Sequence, residues 1–110
     1  MVISKKKNYT HIKRTQNSVN LFFTEFEKLY PKLIGEHLII DFSDKFNTNI
    51  KELLLFLNLN NQHRKNGASF VLVCNGINID EIPDEMNIIP TFTEALDILE
   101  MDAIERDLGF

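Results

Sequence analysis

The residues best suited to chemistry in this sequence lie where an apolar run ends in a carboxylate, passes through a polar loop and enters a helix. In His37 to Leu59, HLIIDFSDKFNTNIKELLLFLNL, the run Leu38-Ile39-Ile40 stops at Asp41, and Ser43 follows. Thr48, Asn49 and Lys51 then gather just ahead of a leucine-rich segment. Unpaired backbone N–H groups cluster at a helix start, so a strand that delivers polar side chains there is a common way to present a site. Three kinds of chemistry fit these residue types. Asp41 could serve as a base, Lys45 or Lys51 could help a helix start receive an anion, and the polar loop could meet a partner protein.

The remaining reactive residues do not assemble around that stretch in sequence. Asp41 has no histidine, serine or lysine placed by sequence to complete a catalytic constellation. The histidines, His11, His37 and His63, are isolated, and Cys74 is the single cysteine, which excludes an internal disulfide and a standard zinc site. Cys74 reads as a small buried apolar residue and His11 as a strand surface residue. Gly35, Gly67, Gly76 and Gly109 form no glycine-rich phosphate loop. The acid pairs Asp80-Glu81 and Asp84-Glu85 read as solvated turns. The expectation is a chain that is not an enzyme and that needs no metal or cofactor.

The elements that must position these residues follow from periodicity. Val2-Ile3 and Tyr9-Thr10-His11-Ile12 have β character around a break at Lys7-Asn8, so residues 1–14 are one strand or a loose hairpin. Gln16-Asn17-Ser18 supplies capping chemistry for a helix with a stripe at Val19, Phe22, Phe23, Phe26, Leu29, Tyr30 and Leu33. Leu38-Ile39-Ile40 and Phe70-Val71-Leu72-Val73 lack polar alternation, as central strands covered on both faces do. Between them a helix starts at Thr48 or Asn49, with Glu52 in capping-box position and a buried stripe of Ile50, Leu53, Leu54 and Leu57 that Leu55 and Phe56 widen. Asn87-Ile88-Ile89 is a short last strand. Thr91-Phe92-Thr93-Glu94 caps the final helix, whose inner face holds Phe92, Ala95, Leu96, Leu99 and Ala103. Ile98, Met101, Ile104, Leu108 and Phe110 spill beyond that face, so its last turns are expected to cover a partner or a second edge of the core.

At 110 residues the chain is one domain, residues 1–110, with an α/β alternation that indicates helices packed on a central sheet. No apolar run approaches the roughly eighteen residues of a membrane span, and no signal-peptide h-region opens the chain, so the expectation is a cytoplasmic protein with no membrane partner. The net charge of −4 is unevenly spread: residues 1–14 carry five cations and no acid, whereas residues 80–107 carry ten acids against Arg106 alone. A basic patch at one end could meet an anionic partner. Without interleaved aromatics or overall basicity it argues against nucleic acid, and solvated faces are the plainer reading.

The strand ending IIDFS at residues 39–43, the leucine-rich helix, the strand SFVLVC and the closing Pro90-Thr91-Phe92-Thr93-Glu94-Ala95-Leu96 together resemble the STAS domain of the anti-sigma factor antagonists, over roughly residues 9–100. The resemblance rests on pattern and spacing. It implies a mixed central β-sheet with helices mainly on one face, no catalysis, and binding to a protein partner under phosphorylation control. Members that switch carry an Asp-Ser-Ser-Gly-Leu type motif at the helix start, and Asn49-Ile50-Lys51-Glu52-Leu53 lies beneath it without a gap. Lys51 then stands where the phosphoacceptor serine would be, and lysine cannot accept a phosphate. Thr48 substitutes as phosphoacceptor only if the loop shifts register, and otherwise reads as a cap.

The resemblance therefore implies a regulatory interaction module without the standard switch, its partner surface formed by Asp44, Asn47, Asn49 and Lys51. Overall length and the ending IERDLGF also resemble short bacterial proteins commonly named ribonuclease Z. That enzyme's clustered histidines are missing here, so a relation to an RNA-processing enzyme could only be that of a companion. The partner implied is a protein, such as a regulatory kinase or an RNA-processing enzyme. The alternative is a small-molecule or nucleotide sensor holding an anion at the helix start near Asn49.

Overall fold

The computed structural model describes residues 1–43 and 48–109, and Asp44 and Asn47 lie outside them. Strands β1 (Val2–Lys5) and β2 (Thr10–Lys13) form a hairpin, closed by Lys6 N–H donating to the Tyr9 carbonyl. The chain continues through α1 (Val19–Leu29), β3 (Leu38–Asp41), α2 (Ile50–Leu53), α3 (Leu57–Lys65), β4 (Phe70–Val73), β5 (Asn87–Ile89) and α4 (Phe92–Asp107). The sheet order is β1-β2-β3-β4-β5, with β2 to β5 parallel and β1 antiparallel. The protein is thus α/β with a five-stranded mixed sheet, and the two open readings of residues 1–14 resolve in favour of the hairpin.

Alternation along the strands divides the core. Leu38, Ile40, Phe70 and Leu72 point to one face and pack with Val19, Phe22 and Phe26 of α1 and with Leu53 and Phe56. Ile39, Val71 and Val73 point to the other face and meet Ala95 of α4. Every residue of β3 and β4 is buried, as the uninterrupted apolar runs require. Cys74 belongs to the first of these clusters, as its sequence context suggested.

Two details of the helices differ from simple periodicity. The segment after Asn49 is not one helix: Leu54–Phe56 is a 3-10 turn between α2 and α3. At three residues per turn it shifts the phase of the stripe, so Leu53 and Phe56 enter the core while Leu54 and Leu55 are each 37% exposed. The buried line then continues through Asn60 and His63, two polar residues.

The other difference concerns length. α4 has sixteen residues, about 24 Å of helix, against four-residue strands that reach only about 13 Å. Its last turns overhang the sheet. Ala103 is therefore exposed rather than inward, and Met101, Ile104 and Leu108 are more than half exposed, covering no second edge of the core.

Candidate functional site

β3 ends at Asp41 on the same side as Ile39, beneath the start of α4. The carboxyl group is buried: Oδ1 accepts the Ser43 N–H at 2.7 Å and Oδ2 accepts from Nε2 of His11 at 2.7 Å. His11 is therefore not a plain surface residue. It lies on β2 opposite Ile39, its side chain reaches diagonally across the parallel ladder to Asp41, and its ring rests 4.7 Å from that of Phe92. Burial disfavours the Asp41 anion and is the largest single influence. The Ser43 hydroxyl and N–H and the His11 ring together outweigh it and hold the carboxyl below its usual range. Asp41 thus fixes the turn out of the strand, with each of its oxygens engaged as an acceptor.

Arg14 fixes the approach to the next helix. Sequence placed it among the exposed N-terminal cations, yet it is only 1% exposed. Its Nε donates to the Gln16 carbonyl at 3.0 Å, Nη1 donates to Thr48 Oγ1 at 2.9 Å, and its backbone N–H donates to the Asp41 carbonyl. One guanidinium ties the entrance of α1 to the entrance of α2. A planar fork with donors in two directions does this, and an ammonium on a flexible stem does not. Arg14→Lys is expected to cost about 1–2 kcal/mol through loss of one such bond, read as a lower urea midpoint at unchanged slope. An unchanged midpoint would show that the tie carries no stability.

Asn49 then caps α2 by the box expected from sequence: its side chain accepts the Glu52 N–H, and its own N–H donates to the Glu52 carboxylate, both at 3.0 Å. Thr48 is half-buried with its hydroxyl accepting from Arg14, and Lys51 is exposed on the first turn. The structure therefore brings Thr48, Asn49 and Lys51 into one turn. Thr48 is turned to the buried Arg14, Asn49 is exposed with its side chain engaged in the cap, and Lys51 projects from the surface.

The opposite end of the sheet holds polar clusters that sequence did not reveal. His63 is fully buried, with Nδ1 2.8 Å from the Tyr30 hydroxyl and Nε2 2.6 Å from the Glu36 carbonyl. A carbonyl only accepts, so Nε2 carries the proton and the tyrosine donates to Nδ1. Burial lowers the affinity of His63 for a second proton and raises the Tyr30 pKa. The Glu36 carboxylate accepts from Thr10 Oγ1 and pairs with Lys5 at 3.2 Å; these contacts, the Thr10 bond foremost, keep it below its usual range.

Beside it, His37 Nδ1 accepts the Ser69 N–H at 3.0 Å, and the Ser69 hydroxyl donates to Asp102 at 2.7 Å. Burial first, then the Arg106 charge, lowers the His37 pKa. The serine hydroxyl points to an acid rather than to the histidine ring, so the trio is not arranged to activate a nucleophile. These partners are separated by 26 to 33 residues, which is why spacing gave no signal for them. Among the described residues no three histidine, cysteine or acidic side chains are grouped to hold a metal ion, and no helix is long and apolar enough to cross a membrane.

No protein-family model matches this sequence, and no curated protein matches it.

Proposed function

We propose that the chain is a non-enzymatic regulatory module of STAS-like fold that binds a protein partner through the start of α2. The observation that carries this reading is the exposed Lys51 on a turn fixed from within by the Arg14–Thr48 tie and the Asn49–Glu52 box. A rigid turn presenting one charge suits a contact that steers and selects a partner. Internal use of the polar groups around it favours binding over chemistry. It also favours a protein surface over an anion site at Asn49, whose cap already takes the Glu52 N–H. In this reading Asn49 and Lys51 form the described part of the surface, and Asp44 and Asn47 extend it through the loop.

Phosphorylation has little room in this surface. Lys51 occupies the switch position of the resembling family, and the Thr48 hydroxyl is half-buried against a buried arginine. The module is thus proposed to act by constitutive recognition.

The test is affinity capture with the intact chain, its Lys51→Glu and Asn49→Ala variants, and Glu27→Lys on the exposed side of α1 as a surface control. At least one protein held by the wild type and by the control is expected to bind Lys51→Glu about ten-fold more weakly, the usual scale for a reversed interface charge. If every captured protein were held equally by all four chains, the start of α2 would not be the interface.

A further inference from the structure

The overhang of α4 creates a second feature, remote from Lys51. Between its last turns, the β1–β2 turn and the Gly35–His37 approach to β3 lies an open groove of about 760 Å³. That volume falls in the range of small-molecule sites. Its walls are unlike the rest of α4. The helix carries six acids and one base, yet it lines the groove with Leu96, Leu99 and Arg106, and with Glu100 as its one acid there. Across from them stand Lys6, Lys7 and the ring of Tyr9.

The charges around the groove are unbalanced. Among the described residues the ion pairs are Lys5–Glu36 and His11–Asp41. Glu36, the other acid of the lining, is thus paired with Lys5, while Lys6, Lys7 and Arg106 stand in none of these pairs. At the α4 end of the groove Arg106 makes only long contacts, 3.4 Å to the Ser69 hydroxyl and 3.5 Å to His37 Nε2. His37 Nδ1 is occupied as an acceptor by the Ser69 N–H, so in the neutral ring the proton sits on Nε2, on the side of Arg106. Two groups of donors therefore converge at one end of a trough whose α4 wall is apolar at Leu96, Leu99 and Ala103. In a chain of net charge −4 this is a local reversal of sign.

We propose that this groove binds a small organic anion, with one carboxylate or sulfonate group on an acyl or aromatic body. The head group takes the donors of Arg106 and His37. The body lies along Leu96, Leu99 and Tyr9, and Lys6 and Lys7 close the rim. The site shares no residue with the start of α2, so it stands or falls independently of the interface proposed there.

The experiment is a fluorescence titration of the full chain with anilinonaphthalene sulfonate, competition with decanoate, and amide NMR shifts to locate both probes. Expected are saturable one-to-one binding, displacement by decanoate, and shifts confined to Tyr9, His37, Leu99, Arg106 and their neighbours. Arg106→Gln is expected to weaken both probes roughly ten-fold or more, the scale of one lost charge-assisted hydrogen bond. The exposed double change Lys6→Gln/Lys7→Gln leaves the core untouched and is expected to weaken them less, with a reduced dependence on salt. Lys51→Glu is expected to bind as the wild type does. Absence of saturable binding, equal affinity in the Arg106 and lysine variants, or shifts mapping to Met101, Ile104 and Leu108 would each overturn the proposal.

Discussion

Phe56→Ala is expected to destabilise the protein by about 3–5 kcal/mol, the usual range for removing a buried aromatic ring. Phe56 is fully buried, and its ring lies 4.9 to 5.9 Å from those of Phe22, Phe23, Phe26 and Phe42. It joins α1, the 3-10 turn and the chain leaving β3. Phe22, Phe23 and Phe26 are fixed by α1, and Phe42 is held by its N–H donating to the Val73 carbonyl, so the surroundings cannot close over the space. Domains of this kind are stable by only about 5–15 kcal/mol, so the loss takes much of the total. Urea unfolding measures it, with Phe56→Leu as a milder companion expected to cost about 1–1.5 kcal/mol. A loss below about 1 kcal/mol for the alanine variant would mean that the cluster collapses freely. Because Phe42 adjoins Asp41, the alanine variant is also expected to loosen the turn that leads to Lys51, seen as faster amide exchange at Ser43.

That aromatic centre was legible in the sequence because its signal is local. The three-and-four spacing of Val19, Phe22 and Phe26 is dictated by the pitch of one helix, and the Asn49–Glu52 box by the geometry of one turn. The short strands were legible for the same reason, since a run such as Phe70-Val71-Leu72-Val73 has a single economical use. The residues between Leu53 and His63 were less so. The nine apolar and polar residues fit one continuous helix equally well, and the 3-10 turn at Leu54–Phe56 is what carries Phe56 into the ring cluster.

The candidate sites were less legible still, because burial of a charged or titratable group depends on partners far away in the chain. Arg14 sits in sequence among lysines that are exposed, and nothing local separates it from Lys13. One of the partners that hold it is Thr48, 34 residues on. The same applies to the groove. Its cations come from both ends of a chain whose charge asymmetry was visible, but the overhang that brings Lys6, Lys7 and Arg106 together follows from unequal lengths of strand and helix. The asymmetry thus had a spatial meaning that composition could not supply.

His63→Leu is expected to lower stability by about 2–4 kcal/mol at pH 7.5, and to do so less at pH 5.5. The first effect follows from the bonds. Leucine fills much of the space but leaves the Tyr30 hydroxyl and the Glu36 carbonyl without a partner, and a buried group stripped of its hydrogen bond costs about 1–3 kcal/mol. The second follows from proton linkage. In the fold the neutral ring accepts from Tyr30 on Nδ1, and a second proton there would displace that hydrogen.

Burial holds the His63 pKa below the value of about 6.5 of an unfolded chain. As pH falls below that value the unfolded chain takes up a proton that the folded one refuses, so stability is complete above about 6.5 and declines on the acid side. His37, which accepts the Ser69 N–H in the same neutral form and is lowered in the same direction, adds to the decline. The lowered carboxylates Asp41 and Glu36 act later, their stabilisation present above about pH 4 and lost as pH drops through their folded pKa values. Wild type is thus expected to weaken in two stages on acidification, and His63→Leu to lose part of the first stage only. Urea unfolding at pH 7.5 and 5.5 decides the matter: an equal difference between wild type and variant at the two pH values would mean that His63 binds its proton as readily in the fold as out of it, and that the Tyr30–His63–Glu36 chain is not locked in the neutral form.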